Sequence, residues 1–187
     1  MASSVVDEVA VYSVWAVPPE PVKERLQKLM GKLRDEFGGP AFEPHVTVVG
    51  AIRLPKMEAL QKLRLSCEVN KPYTVRVNSV AKGTFFYQCV YLLVDPTPEV
   101  VEVSNRSCSH FGYERSTAYM PHLSLLYGDT SDDEKEKAVE KVKSLDPEIS
   151  NLSFEVSRLT LCKTDTQDKT LKSWEKIAEF DLSGGSN

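Results

Sequence analysis

The chain has 187 residues, 41% of them apolar and 27% charged, enough to bury one sizeable core and ordinary for a soluble globular protein. Its longest apolar runs, such as residues 85–94, are far too short to cross a bilayer, and Met1-Ala2-Ser3-Ser4 lacks the basic start and apolar run of a secretion signal, so a cytoplasmic protein without membrane association is expected. A net charge of −4 with no basic block argues against a long RNA or DNA partner, because such binding is driven by phosphate neutralisation; one nucleotide or one phosphate in a pocket stays compatible.

Residues 1–7 read as a frayed tail. Residues 9–17 are short and β-rich, the pattern of a strand, and Pro18-Pro19 ends it. Pro21 suits a first helical position, and Val22, Leu26, Leu29, Met30, Leu33 and Phe37 recur at helical spacing until Gly38-Gly39-Pro40. A strand over about 42–52 follows, then a helix opened by Pro55 with Met57, Leu60, Leu63 and Leu65 as its apolar side. Residues 73–80 alternate as a strand, with Tyr73, Val75 and Val77 on one face. Residues 86–94 form the most apolar strand. Pro96-Thr97-Pro98 breaks it and starts a helix to about Phe111, and a loop over 112–120 leads to a strand over 122–127. Thr130 or Ser131 caps a charged helix over about 132–145, whose acidic first turn suits the helix dipole. Strands over 152–162 and 171–180 complete the chain. The polar loop 163–170 between them reads as a solvated turn, with covering a cleft as the alternative, and 183–186 as a loose tail.

Two stretches share a grammar. In Pro44-His45-Val46-Thr47-Val48-Val49, strand alternation sets His45 and Thr47 on one face and turns Val46 and Val48 to the other. Pro121-His122-Leu123-Ser124-Leu125-Leu126 repeats the pattern 77 positions later, and Pro19 and Pro96, like Pro21 and Pro98, obey the same offset. That period is too long for a solenoid. It predicts a single domain over 1–187 made of pseudo-equivalent halves, about 9–80 and 86–162, with the strand 171–180 added. Packed about a pseudo-dyad, both histidine pairs would line one cleft.

Two imidazoles and two hydroxyls suit in-line displacement at phosphorus. One neutral histidine takes a proton from water while the other, protonated, gives one to the leaving oxygen; an ordinary pKa of about 6.5 makes both forms accessible. Thr47 and Ser124 can donate to the non-bridging oxygens. A strained cyclic phosphate is activated enough for this to proceed with no metal or cofactor. A single histidine on an apolar strand is usually a core residue, but duplication of the motif reverses that reading. His110 lacks the motif and reads as a surface or helix-end residue. Zinc is disfavoured because no third ligand stands at regular spacing, and no Lys follows either histidine at the second position, as a phosphohistidine route would need. Of the cysteines, Cys89 and Cys162 lie in apolar runs as core thiols, whereas Cys67 and Cys108 have more polar neighbours and are candidates for exposure.

The paired His-x-[Thr/Ser] motifs in this duplicated layout resemble the 2H phosphoesterase superfamily, and within it the plant-type cyclic phosphodiesterases. The likeness runs from Val11-Tyr12-Ser13-Val14-Trp15 to about Phe180 and includes Gly83-Thr84-Phe85-Phe86, Tyr119-Met120-Pro121-His122-Leu123-Ser124-Leu125-Leu126-Tyr127 and Leu161-Cys162-Lys163-Thr164-Asp165-Thr166. It implies a two-lobed α+β fold with two antiparallel sheets related by a pseudo-two-fold around a central cleft, helices outside. It implies hydrolysis of ADP-ribose 1″,2″-cyclic phosphate to ADP-ribose 1″-phosphate, downstream of tRNA splicing, and opening of nucleoside 2′,3′-cyclic phosphates to 2′-phosphates. His45 and His122 become the acid–base pair, with His122 as base and His45 as acid. Thr47 and Ser124 hold the phosphate, Tyr127 contacts it, and Trp15 and Tyr87 lie near the substrate. From the residues alone, Trp15 reads equally as core, and Tyr87, in a Phe-Phe-Tyr run, as core or interface. The chain lacks the cysteines that some relatives carry near Tyr113 and Phe180. A small-molecule substrate and a monomer are expected. The competing readings are an RNA end-processing or 2′-5′ RNA ligase-like enzyme of the same fold, and a non-catalytic nucleotide-binding module.

Overall fold

A computed structural model describes residues 8–184, so the frayed tail expected over 1–7 lies outside the described residues, as do the last three residues of the chain. In order the elements are β1 (Val9–Ala16), α1 (Val22–Phe37), β2 (Val46–Pro55), α2 (Lys56–Val69), β3 (Tyr73–Phe85), β4 (Gln88–Val94), α3 (Pro98–Phe111), β5 (His122–Leu126), α4 (Asp132–Leu145), a 3-10 turn (Ile149–Asn151), β6 (Ser153–Val156), β7 (Arg158–Lys163) and β8 (Glu175–Asp181). Among the described residues, no helix is long and apolar enough to cross a membrane.

The helix signals act largely where the local chemistry puts them. Pro21 immediately precedes α1, which buries Leu26, Leu29, Met30 and Leu33, and Gly38 and Gly39, both at positive φ, turn the chain out of it. Thr97 and Ser131 each accept a hydrogen bond from the backbone N–H three residues on, at Val100 and Glu134, satisfying donors that the first turns of α3 and α4 leave open. On α2 the expected face is rotated. Ala59, Leu63, Ser66 and Cys67 are buried, while Met57 and Leu65 are exposed, because Leu63 and Cys67 keep i, i+4 spacing and Met57 falls off that stripe. All four cysteines are free and buried, Cys67 and Cys108 included, which corrects the expectation of exposure for those two. The expected loose tail is partly tied down: the Ser183 and Gly184 N–H groups donate to the carbonyls of Cys67 and Asn70.

One sheet stands where two were expected. Its eight strands, antiparallel throughout, run β6-β3-β4-β5-β2-β1-β7-β8. The four-stranded groups meet at β5 and β2 through one Cα pair, Val46 with Leu123. The pair satisfies only part of this junction, and the Thr47 and Val48 carbonyls beyond it accept instead from the Tyr119 and Ser104 hydroxyls. β6 pairs with β3 at one end of the order, yet only Ser157 separates it from β7, near the other end. A chain can make that step only if the sheet wraps round on itself. The expected strand over 152–162 is therefore two strands that change neighbours at Ser157. The expected strand over 171–180 begins late, at Glu175, because the chain turns through Leu171 at φ 62 and through N–H bonds from Leu171 to Asp168 O and from Trp174 to Leu171 O.

Strand alternation then separates two faces. Val14, Val46, Val48, Leu123 and Leu125 join the helices' buried residues in one core, so the helices cover that face. The intervening Ser13, Trp15, Thr47, His122 and Ser124 line a cavity on the other.

Candidate active site

The single pair that joins the two four-stranded groups also builds the site. In antiparallel register, Val46 opposite Leu123 sets His45 opposite Ser124 and Thr47 opposite His122. All four side chains share a face, so they mark the corners of a square with the histidines on one diagonal. Diagonal neighbours of this kind lie roughly 7–8 Å apart, a gap that a phosphoryl group fills. His45, Thr47, His122 and Ser124 all line one cavity of about 760 Å³, a volume suited to a nucleotide-sized ligand.

Each imidazole is anchored in the same way. His45 Nδ1 lies 2.8 Å from the Glu43 carbonyl oxygen, and His122 Nδ1 lies 2.9 Å from that of Met120. A carbonyl only accepts, so Nδ1 carries the proton in both rings and Nε2 is the nitrogen left for chemistry. Aromatic rings from neighbouring strands fix their orientation: Trp15 stacks on His45 with centroids 3.6 Å apart and planes 6° apart, and Tyr91 meets His122 edge-on at 5.2 Å. Burial pushes the His45 pKa down to about 4, against the Glu43 bond, with the charge of His122 lowering it further. His122 is half-buried and its pKa is also lowered, again by desolvation.

Of the other expected site residues, Ser124 is buried and donates to the Tyr87 carbonyl at 3.1 Å, so its hydroxyl must rotate to serve a phosphoryl oxygen. Tyr127 stacks on Phe42 at 3.8 Å, and burial holds its phenol well above the ordinary range, so it remains a neutral donor. Tyr87 donates to the Thr166 carbonyl at 2.7 Å and meets Tyr127 edge-on at 5.1 Å. Trp15 and Tyr87 both line the cavity. His110 lies in the last turn of α3 and is not among the residues that line it.

Several further lining residues lie outside the paired motifs. Trp174, expected within a strand, sits in the preceding loop, stacks on Tyr87 at 5.9 Å and donates from Nε1 to the Asp165 carbonyl at 2.9 Å. With Thr164 and Thr166, it makes the loop after β7 a wall of the cavity, the alternative expected for this loop, while Asp165, Gln167, Lys169 and Thr170 stay exposed to solvent. Asp168 holds that loop by accepting from Thr170 and Ser173, which keeps its carboxyl well below the usual range. Across the cavity, residues 113–120 bring Tyr113, Arg115 and Tyr119 to the wall. Tyr91 was hidden by the repeat: Trp15 pairs with Thr47 and Tyr91 with Ser124, an offset of 76, because register shifts in the β1–β2 and β4–β5 pairings displace the strands by a residue.

Residues 14–168 match the family model described as the 2′-5′ RNA ligase superfamily. A cyclic phosphodiesterase of Arabidopsis thaliana is 49% identical over 172 residues, covering 92% of this chain and 95% of that protein. Among solved structures, E. coli LigT complexed with 3′-AMP superposes with a TM-score of 0.64 at 12% identity, over 94% of this chain and 99% of that one. TT0787 of Thermus thermophilus gives 0.63 at 12% identity, over 94% and 100%. At such identity these two likenesses concern the fold. With two anchored imidazoles on one diagonal of a shared cavity, and sequence matches across most of its length, the chain belongs to the 2′-5′ RNA ligase superfamily of 2H phosphoesterases.

Proposed function

We propose that the chain is a cyclic phosphodiesterase that opens ADP-ribose 1″,2″-cyclic phosphate to ADP-ribose 1″-phosphate, and nucleoside 2′,3′-cyclic phosphates to 2′-phosphates. The diagonal placing of two Nδ1-anchored imidazoles carries this reading, and the name of the Arabidopsis relative supports the substrate class. His45, the deeper and more strongly depressed of the pair, enters the reaction neutral and suits the proton acceptor; His122 is the easier to protonate and suits the donor. This reverses the roles expected from sequence. Water attacks phosphorus as its proton passes to His45 Nε2. The bond from phosphorus to O2″ (or O3′) breaks as His122 Nε2 protonates that oxygen, and solvent restores both rings. Thr47, Ser124 and Tyr127 hold the non-bridging oxygens, and Trp15 and Tyr87 line the cavity beside them, Trp15 holding the His45 ring by stacking.

The strand order supports the pseudo-two-fold within one domain, since strands read outward from the junction pair as β5 with β2, β4 with β1, β3 with β7 and β6 with β8. In this reading the protein works in the cytoplasm as a monomer on soluble small molecules, and the imidazole pair needs no metal or cofactor. Turnover of both cyclic esters should persist in EDTA, and His45→Ala and His122→Ala should each lose on the order of 10²–10⁴ in kcat while remaining folded. Near-wild-type rates in either variant end the mechanism. RNA oligomers outcompeting both small esters would favour RNA end processing instead.

A further inference from the structure

The chain carries 23 Lys and Arg and 27 Asp and Glu, yet among the described residues lining the cavity Arg115 is the one side chain of those four types. Its guanidinium donates to Asn105 Oδ1 at 2.7 Å and to Ser104 Oγ, and its Cζ lies 4.5 Å from the Tyr119 ring centroid. All three partners are uncharged, so they fix the planar fork without neutralising it. Two of five N–H donors are used, which leaves three for an incoming acceptor. The supports are themselves tied to the strand that carries the first motif: Tyr119 donates to the Thr47 carbonyl at 2.7 Å and Ser104 to the Val48 carbonyl at 2.6 Å. The positive charge therefore stands at a fixed offset from the imidazole pair, held in place before any ligand arrives. Arg115 and both histidines line the same cavity of about 760 Å³.

We propose that Arg115 is a second anion subsite, one that takes a phosphate group of the substrate remote from the reacting ester. It makes the enzyme selective for cyclic phosphates that also bear a pyrophosphate over mononucleoside cyclic phosphates. The inference rests on the cyclic phosphodiesterase reading and adds the residue that would choose among its substrates. The guanidinium fork matches two phosphate oxygens at once, and in a chain of net charge −4 a local cation offsets the repulsion that a polyanionic ligand meets.

The test compares ADP-ribose 1″,2″-cyclic phosphate with adenosine 2′,3′-cyclic phosphate on wild type, Arg115→Ala and Arg115→Lys. The ratio of kcat/KM for the first ester to that for the second is expected to fall about 10- to 100-fold in Arg115→Ala, through KM, and by less in Arg115→Lys, which keeps the charge and loses the fork. High salt should shrink the wild-type preference. An unchanged ratio, including a parallel loss on both esters, overturns the subsite. Titration calorimetry with the corresponding products, ADP-ribose 1″-phosphate and adenosine 2′-phosphate, separates the two claims. If neither ester is turned over but Arg115→Ala weakens the first product selectively, the activity falls and the subsite stands; equal weakening or none removes the subsite whatever the activity.

Discussion

At the scale of single residues, burial of His45 sets a pH dependence whose sign follows from linkage. The folded ring titrates at about 4 and the unfolded one near 6.5, so the unfolded chain takes up the proton first on acidification. Stability is full above about pH 6.5 and falls as pH drops toward 4. The loss from this group comes to about 2–3 kcal/mol by pH 4.5. Urea midpoints at pH 7.5 and 4.5 should therefore separate further in wild type than in His45→Gln, and equal separations would show that the ring is not held neutral by burial. The motif itself was plain in the sequence because alternation is local: His45 and Thr47 share a face in any extended chain. What the ring stacks on is not local, and Tyr91 as the partner of His122 escaped the repeat because register shifts moved it by one position.

At the scale of elements, the β3–β4 hairpin positions Tyr87, whose carbonyl receives the Ser124 hydroxyl and whose own hydroxyl reaches Thr166. Gly83 permits the close return of that hairpin, since a Cβ there would collide with the carbonyl oxygen of Gln88 on the facing strand. The Gly83 carbonyl also accepts from the largely buried Lys135 ammonium at 3.1 Å, tying α4 to the hairpin. Gly83→Ala should lower stability by about 1–3 kcal/mol, the usual cost of forcing extra volume into a packed site. It should also slow turnover as Tyr87 shifts, and a chemical-denaturation midpoint equal to wild type would refute this account. The loop after β7 shows the reverse case. Its polar composition fits a loop that is mostly exposed, but composition does not report which carbonyls a distant tyrosine and tryptophan will bond, so whether it also covers a cleft stays open until the fold is known.

At the scale of the whole molecule, the two four-stranded groups of the sheet are joined by the Val46–Leu123 pair and by the continuation of β6 into β7 through Ser157, and the helices α1 and α4 by a two-point ion pair. In the last, Arg25 on α1 reaches both Asp146 oxygens, just beyond α4, at 2.7 Å each. One core includes residues of both four-stranded groups. Unfolding should accordingly be a single cooperative transition, with far-UV circular dichroism and tryptophan fluorescence coinciding in urea; two separated transitions would mean that the two groups of strands fold independently.

The sequence by itself determined the order of the helices and of the strands up to the split at Ser157, the caps of α3 and α4, the 77-residue repeat and the four side chains of the paired motif, because spacing and capping act within a few residues. Only the tertiary structure decided that two expected sheets are one, that Cys67 and Cys108 are buried, and that Arg115 and Trp174 reach the same cavity as the histidines. Those outcomes depend on which distant segments come to lie side by side, and no local pattern encodes that.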